Sequence, residues 1–320
     1  MPASTTIRSL TLVNEQVSVR MLPDLGGKLC SLRDRRTGRE WLLPSQLAGG
    51  GYRNAAYGDD FSTFDTSGFD ECFPVVGVGP HPDAAFQWPD HGELWSRAWE
   101  VEQTEDALMA RIDGQAWPYT FSRRASLQGD SLCLDYTVEN HAAAPFRHLW
   151  SAHPLLQVTP GMKLLLPQGL REVVVNGRTN LANGNQGDLR HWPEVTPGLD
   201  CSTVPPVTCG KAMKVFAPWV SEGWCGVMDP VTGEALTFHW NPAEVPHLGL
   251  WLCYGGWPTD GRTPHLTVAL EPCTGMPDRL DDAAERNSCA VLGPGERKTW
   301  NLRLQLHTQW PMIVRSGVAP

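Results

Sequence analysis

Apolar and polar residues alternate along most of this chain, so the recurring signal is the period of two that marks strands, not the 3.6 of helices. Val17, Val19 and Met21 alternate with Ser18 and Arg20, and Tyr119, Phe121, Ala125 and Leu127 repeat the pattern. The same reading predicts strands over 132–139, 147–158, 172–175, 235–240, 248–254, 266–271 and 299–305. Turn chemistry separates them: Gln128-Gly129-Asp130, Asn176-Gly177, Asp229-Pro230-Val231-Thr232-Gly233 and Gly293-Pro294-Gly295, where glycine accepts positive φ and proline presets its own. Short strands joined by such turns argue a β-sandwich. A helical turn or two over 279–286 is the one exception. Residues 47–89, rich in glycine and aromatics, read as a long ordered loop, and 181–208 as a more mobile excursion. No fixed-period repeat divides the chain, and 1–320 is expected to form a single all-β domain.

Three polar islands interrupt this pattern. They are Asp90-His91-Gly92, Ser151-Ala152-His153-Pro154 and Leu270-Glu271-Pro272-Cys273-Thr274. Each sets one group capable of acid or base work at the end of a strand-like run. Because neighbouring side chains of a strand point to opposite faces, Thr267, Ala269 and Glu271 share a side opposite the apolar Leu266, Val268 and Leu270. Small side chains beside a carboxylate leave room for a ligand. On the same logic, 91–101 read as a strand places His91, Glu93, Trp95, Arg97 and Trp99 on one face, a mixture of charge and indole suited to sugars. Plainer explanations exist for each island alone: a solvated strand edge for 91–101, a core histidine bonded to backbone for His153, and an exposed strand-ending carboxylate for Glu271.

Tryptophan is abundant, 14 in 320 residues, and indole faces stack on the C–H faces of pyranose rings. Trp88, Trp95, Trp240 and Trp257 lie beside polar groups and are pocket candidates, whereas Trp150, Trp251 and Trp300 sit at apolar positions and read as core. The His239 and His247 pair adds candidate contacts to sugar hydroxyls.

Composition narrows the classes further. A formal net charge of -9 without a Lys/Arg block argues against nucleic acid and anionic membranes as partners. Nothing near the start resembles a leader peptide and no stretch approaches a membrane span, so the expected compartment is the cytoplasm. Nine cysteines without a C-x-x-C pair fit buried free thiols better than disulfides or zinc. Nucleotide, metalloprotease and serine-hydrolase motifs are missing, and no metal is expected.

Taken in order, the islands resemble the aldose 1-epimerase (galactose mutarotase-like) family. The likeness covers most of the chain, from Leu22-Pro23-Asp24-Leu25-Gly26-Gly27-Lys28-Leu29 and Gly38-Arg39-Glu40-Trp41-Leu42, through His91-Gly92, Val138-Glu139-Asn140 and His153-Pro154, to Glu271-Pro272 and Leu292-Gly293-Pro294-Gly295-Glu296. It implies a large antiparallel β-sandwich with a sugar groove in one sheet, and cofactor-free interconversion of the α and β anomers of a free aldose. Under it, Glu271 is the general base, His153 the general acid, and His91 a hydrogen-bond partner of the ring oxygen. Arg53 stands loosely for the family's sugar-binding arginine. Its aspartate has no counterpart, a gap that His239 or His247 would fill, and Asp70, Glu71, Trp95, Arg97, Trp240 and Trp257 complete the expected substrate contacts. The partner is then a monosaccharide, and the oligomeric state stays open, a homodimer included. Two rivals use the same groove: a carbohydrate-binding protein without turnover, and a glycosidase or lyase with Asp70 or Glu71 as second carboxylate.

Overall fold

The computed structural model describes residues 7–176 and 184–310. The alternation seen in the sequence becomes two large antiparallel sheets. One has ten strands, in the order Leu10–Val13, Val17–Leu22, Lys28–Asp34, Phe69–Cys72, Ser151–Gln157, Leu266–Cys273, His247–Tyr254, Lys211–Ala217, Glu172–Val175 and Leu189–His191. The other has eight, running from Lys163–Leu165 through Trp224–Met228, Ala235–Trp240, Arg297–His307, Ser131–Asn140, Tyr119–Gln128 and Ala107–Asp113 to Glu100–Gln103.

Apolar residues of alternate positions fill the space between the sheets. Val17, Val19, Met21, Leu250 and Leu270 from the first meet Phe121, Leu134, Tyr136, Trp300 and Leu302 from the second in one continuous core. A polar bridge crosses that core. Glu71, fully buried, accepts hydrogen bonds from Arg123 Nη1 at 2.8 Å, Tyr136 OH at 2.9 Å and Trp150 Nε1 at 2.8 Å. The Glu71 carboxylate is thus saturated inside the sandwich, which explains why a charged pair is tolerated there.

The strands read from the sequence are found with three differences, and Ala107–Asp113, Lys163–Leu165, Lys211–Ala217 and Trp224–Met228 are strands that the reading did not name. The 147–158 stretch splits into Phe146–His148, which pairs with Ala290–Leu292 in a separate ribbon, and Ser151–Gln157. The presumed loop 47–89 contains the strand Phe69–Cys72 and a short 3-10 turn, Phe61–Thr63. Residues 91–99 are turns, not strand. His91 and Gly92 adopt φ of 57° and 78°, and a Cβ on Gly92 would stand 2.1 Å from the Phe73 carbonyl oxygen. The tight approach of two backbones, not a pleat, sets that segment. The predicted helical turn is found at Leu280–Glu285. Of the excursion 181–208, residues 181–183 lie outside the described residues, as does Gly177 of the Asn176-Gly177 turn, while Leu189–His191 forms an edge strand. All nine cysteines are free thiols. No helix among the described residues is long and apolar enough to cross a membrane.

Candidate active site

The face of the ten-stranded sheet turned away from the core carries a transverse row of charged side chains. Pairing is continuous across it: Leu29 with Phe69, Asp70 with His153, Ser151 with Cys273 and Leu155 with Ala269, and Glu271 with Gly249. This register sets Lys28, Asp70, His153, Glu271 and Gly249 side by side on neighbouring strands. Gly249 matters because a Cβ there would meet Lys214 Cε and Nζ at 3.3 Å. Its bare backbone lets Lys214, from the next strand, lie across it and ion-pair with Glu271 Oε2.

Two lysine clusters therefore flank His153. Lys28 is buried between Asp65 and Asp70, 2.8 Å from Asp70 Oδ2. Lys214 is buried between Glu271 and Asp278, 3.8 Å from Asp278 Oδ1. Burial opposes the charge of each lysine, but the paired carboxylates outweigh it and hold both above the ordinary lysine range. For Asp70 and Glu271 burial wins. Asp70 is pushed up to about 6, and Glu271 also lies above its usual value, with Lys214 pulling it part of the way back.

Glu271 keeps one oxygen free. Oε2 is held by Lys214 and by Ser151 Oγ at 3.3 Å, whereas buried Oε1 has no hydrogen bond and lies 4.0 Å from His153 Nε2. His153 is neutral, since burial and the nearby cations His91, Lys214 and Lys28 push its pKa well down. His91 has the opposite fate. Burial works against its charge, but Asp90 Oδ1 lies 3.0 Å from its Nδ1 and raises it above the usual imidazole value. Phe61 stacks on the His91 ring at 4.1 Å and meets His153 edge-on at 5.6 Å, and the two imidazoles stand 5.3 Å apart and nearly perpendicular.

Phe61, Asp90, His91, His153, Lys214 and Glu271 line a cleft of about 800 Å³ that also includes Thr66, Leu155, Trp251, Trp257, His265, Thr267 and Asp278. His91, His153 and Glu271, far apart along the chain, meet there as the three islands suggested. Trp257 lines it too, and so does Trp251, which the sequence placed in the core.

The remaining candidates stand elsewhere. Asp70 is in the row but sealed beneath Lys28. Glu71 points the other way, into the core. Trp95 supports the site from behind, packing on Phe61 and Phe64 and donating to the Asp90 carbonyl. Arg53 lies over Phe64 and bonds the Thr63 carbonyl. Arg97 donates to the Asp113 carbonyl, 2.8 Å away, and not into the cleft. His239 and Trp240 belong to the eight-stranded sheet, where Trp240 Nε1 bonds the Val245 carbonyl. His247 is tied to the Pro218 carbonyl and Ser288. Lys28, Lys214, Asp278 and Phe61 were missed. Lys28 and Lys214 did carry a signal, each being a lone cation in an apolar strand run. Among the described residues no three His, Cys, Asp or Glu side chains gather as a metal site.

No protein-family model matches the chain, and neither does any curated protein. Solved structures do. A galactose mutarotase-like protein from Lactobacillus casei superposes with a TM-score of 0.68 at 18% identity, over 94% of this chain and 100% of that one. A galactose mutarotase related enzyme from Lactobacillus acidophilus gives 0.69 at 14% identity, over 94% and 98%. An Escherichia coli protein provisionally named an aldose 1-epimerase gives 0.70 at 17%, over 94% and 99%. Identities this low speak for architecture, and on that ground the chain has the galactose mutarotase-like fold.

Proposed function

We propose that the chain is a cofactor-independent mutarotase that interconverts the α and β anomers of a neutral free sugar. The observation that carries the reading is the convergence of Glu271 Oε1, His153 and His91 on one cleft, with a base that is free on one oxygen and pinned on the other. Anomerisation needs a base at the C1 hydroxyl and an acid at the ring oxygen, each titrating near working pH. Glu271 Oε1 takes the C1 hydroxyl proton as the C1–O5 bond breaks, and O5 receives a proton. The aldehyde turns about C1–C2 and recloses, with O5 returning its proton and Glu271 protonating the carbonyl oxygen.

The donor to O5 is His91 in this reading, which departs from the role that the family resemblance gives to His153. Asp90 favours the protonated form of His91, whereas burial and three nearby cations favour the neutral form of His153, which serves as a hydrogen-bond partner. Neutral substrates are favoured because Lys214, the sole lysine or arginine among the described residues lining the cleft, is already taken by Glu271 and Asp278.

Saturation-transfer NMR of anomeric exchange over a panel of free aldoses tests the proposal. Glu271→Gln is expected to lose about 10²- to 10⁴-fold of the acceleration. Sugar binding with no acceleration in the native protein would instead support a binding protein without turnover.

A further inference from the structure

The cleft is longer than the reaction needs. Glu271, Ala269 and Thr267 follow one another on the cleft side of the same strand, and at ~3.4 Å per residue the two ends are about 14 Å apart. The chemistry sits at the Glu271 end. At the other stand Trp257, His265 and Thr259, with Trp251 midway, opposite Ala269. A cleft of about 800 Å³ falls in the range that encloses drug-sized ligands, well beyond one pyranose.

The far end is built from apolar faces. Trp251 pairs with Ala269 across the strands and packs on the buried cluster of Leu43, Leu155 and Ala269, which holds the indole in place. Trp257 stands edge-to-face to Trp251 at 6.3 Å and 82°, so the two rings form the walls of a corner. His265 meets Trp257 edge-on at 4.9 Å and Arg262 lies over the indole at 5.8 Å, contacts that fix its orientation. Burial, with Arg262 nearby, pushes His265 down to about 4, so its imidazole adds no charge at neutral pH. Arg262 also donates to the Ser62 carbonyl at 2.6 Å, tying the segment that carries Trp257 to the one that carries Phe61. The same tie links the aromatic corner to the ring stacked on His91.

Resting on the mutarotase reading, we propose that the Trp251–Trp257 corner is a second sugar subsite, and that the substrate is a neutral reducing disaccharide or longer saccharide. Its reducing ring lies against Glu271 and its next ring against the indoles. Stacking on a rigid indole corner requires only C–H faces, which every pyranose offers, and needs no charge on the ligand.

The test compares glucose, galactose and mannose, each with its own 1,4- and 1,6-linked disaccharide, by anomeric exchange and by titration calorimetry. At least one disaccharide is expected to show a kcat/KM about tenfold or more above that of its monosaccharide, carried by KM. Trp257→Ala should collapse that ratio toward one, and Trp257→Phe should restore part of it, which separates stacking from misfolding. Calorimetry in Glu271→Gln should preserve the preference for the disaccharide. Monosaccharides binding and reacting as well as every disaccharide, or a ratio untouched by Trp257→Ala, would overturn the subsite. Tighter disaccharide binding without any exchange would keep the subsite and remove the mutarotase reading instead.

Discussion

Asp70 and Glu71 are adjacent residues, both fully buried, on one four-residue strand, and they lead opposite lives. Glu71 faces the inter-sheet core and collects aligned hydrogen bonds from Arg123, Tyr136 and Trp150. Asp70 faces the row behind the cleft, where its ion pair is with a lysine shared with Asp65 and its carboxylate is pushed up to about 6. The pleat alone separates them. On the inner face the buried carboxylate is matched by three donors and serves the fold; on the outer face it is under-matched and left able to titrate.

The largest expected effect lies on the inner face. Glu71→Ala strands the Arg123 guanidinium in the core and should cost about 3–5 kcal/mol in urea unfolding. A cost under about 1 kcal/mol would mean the inner network is not structural and would erase the contrast. An intermediate effect is expected on the outer face from Lys214→Met. Lys214 lowers the pKa of Glu271, and a base must be ionised to act, so removing the cation should move the acid limb of kcat/KM to higher pH by about one unit or more. An unmoved limb would detach Lys214 from the base.

The smallest effect sharpens the comparison on Asp70 itself. Its folded pKa of about 6 exceeds the ordinary aspartate value of 3.8, so between these values the folded state holds a proton that the unfolded chain has released. Stability owed to this group therefore falls as pH rises from about 4 to about 6, then levels. The stability difference between native protein and Asp70→Asn should slope across that window and be flat above it. A flat difference throughout would show Asp70 to be ionised and as well matched as Glu71.

Much of this was legible in the chain. Alternation marked the strands, and parity put Glu271 with Thr267 on the side opposite the core residues Val268 and Leu270, a side that lines the cleft. The islands marked His91, His153 and Glu271 because each interrupts an apolar pattern locally. What stayed hidden depends on register between strands distant in sequence. No local feature says that Lys28 falls beside Asp70, that Gly249 opens a path for Lys214, or that Asp278 curls back from beyond Glu271. The misreading of 91–99 has a different origin: alternating indoles imitate a pleat, but the left-handed backbone at His91 and Gly92 forbids one.

That backbone carries a further consequence. A histidine at φ 57° occupies a region that glycine enters without a side-chain penalty, and the difference is on the order of 1 kcal/mol. Position 91 is then a place where selection for robustness and selection for chemistry pull apart. A thermostabilising library scored on folding alone will drift toward glycine there, and the improved proteins it returns will be those that have lost the imidazole.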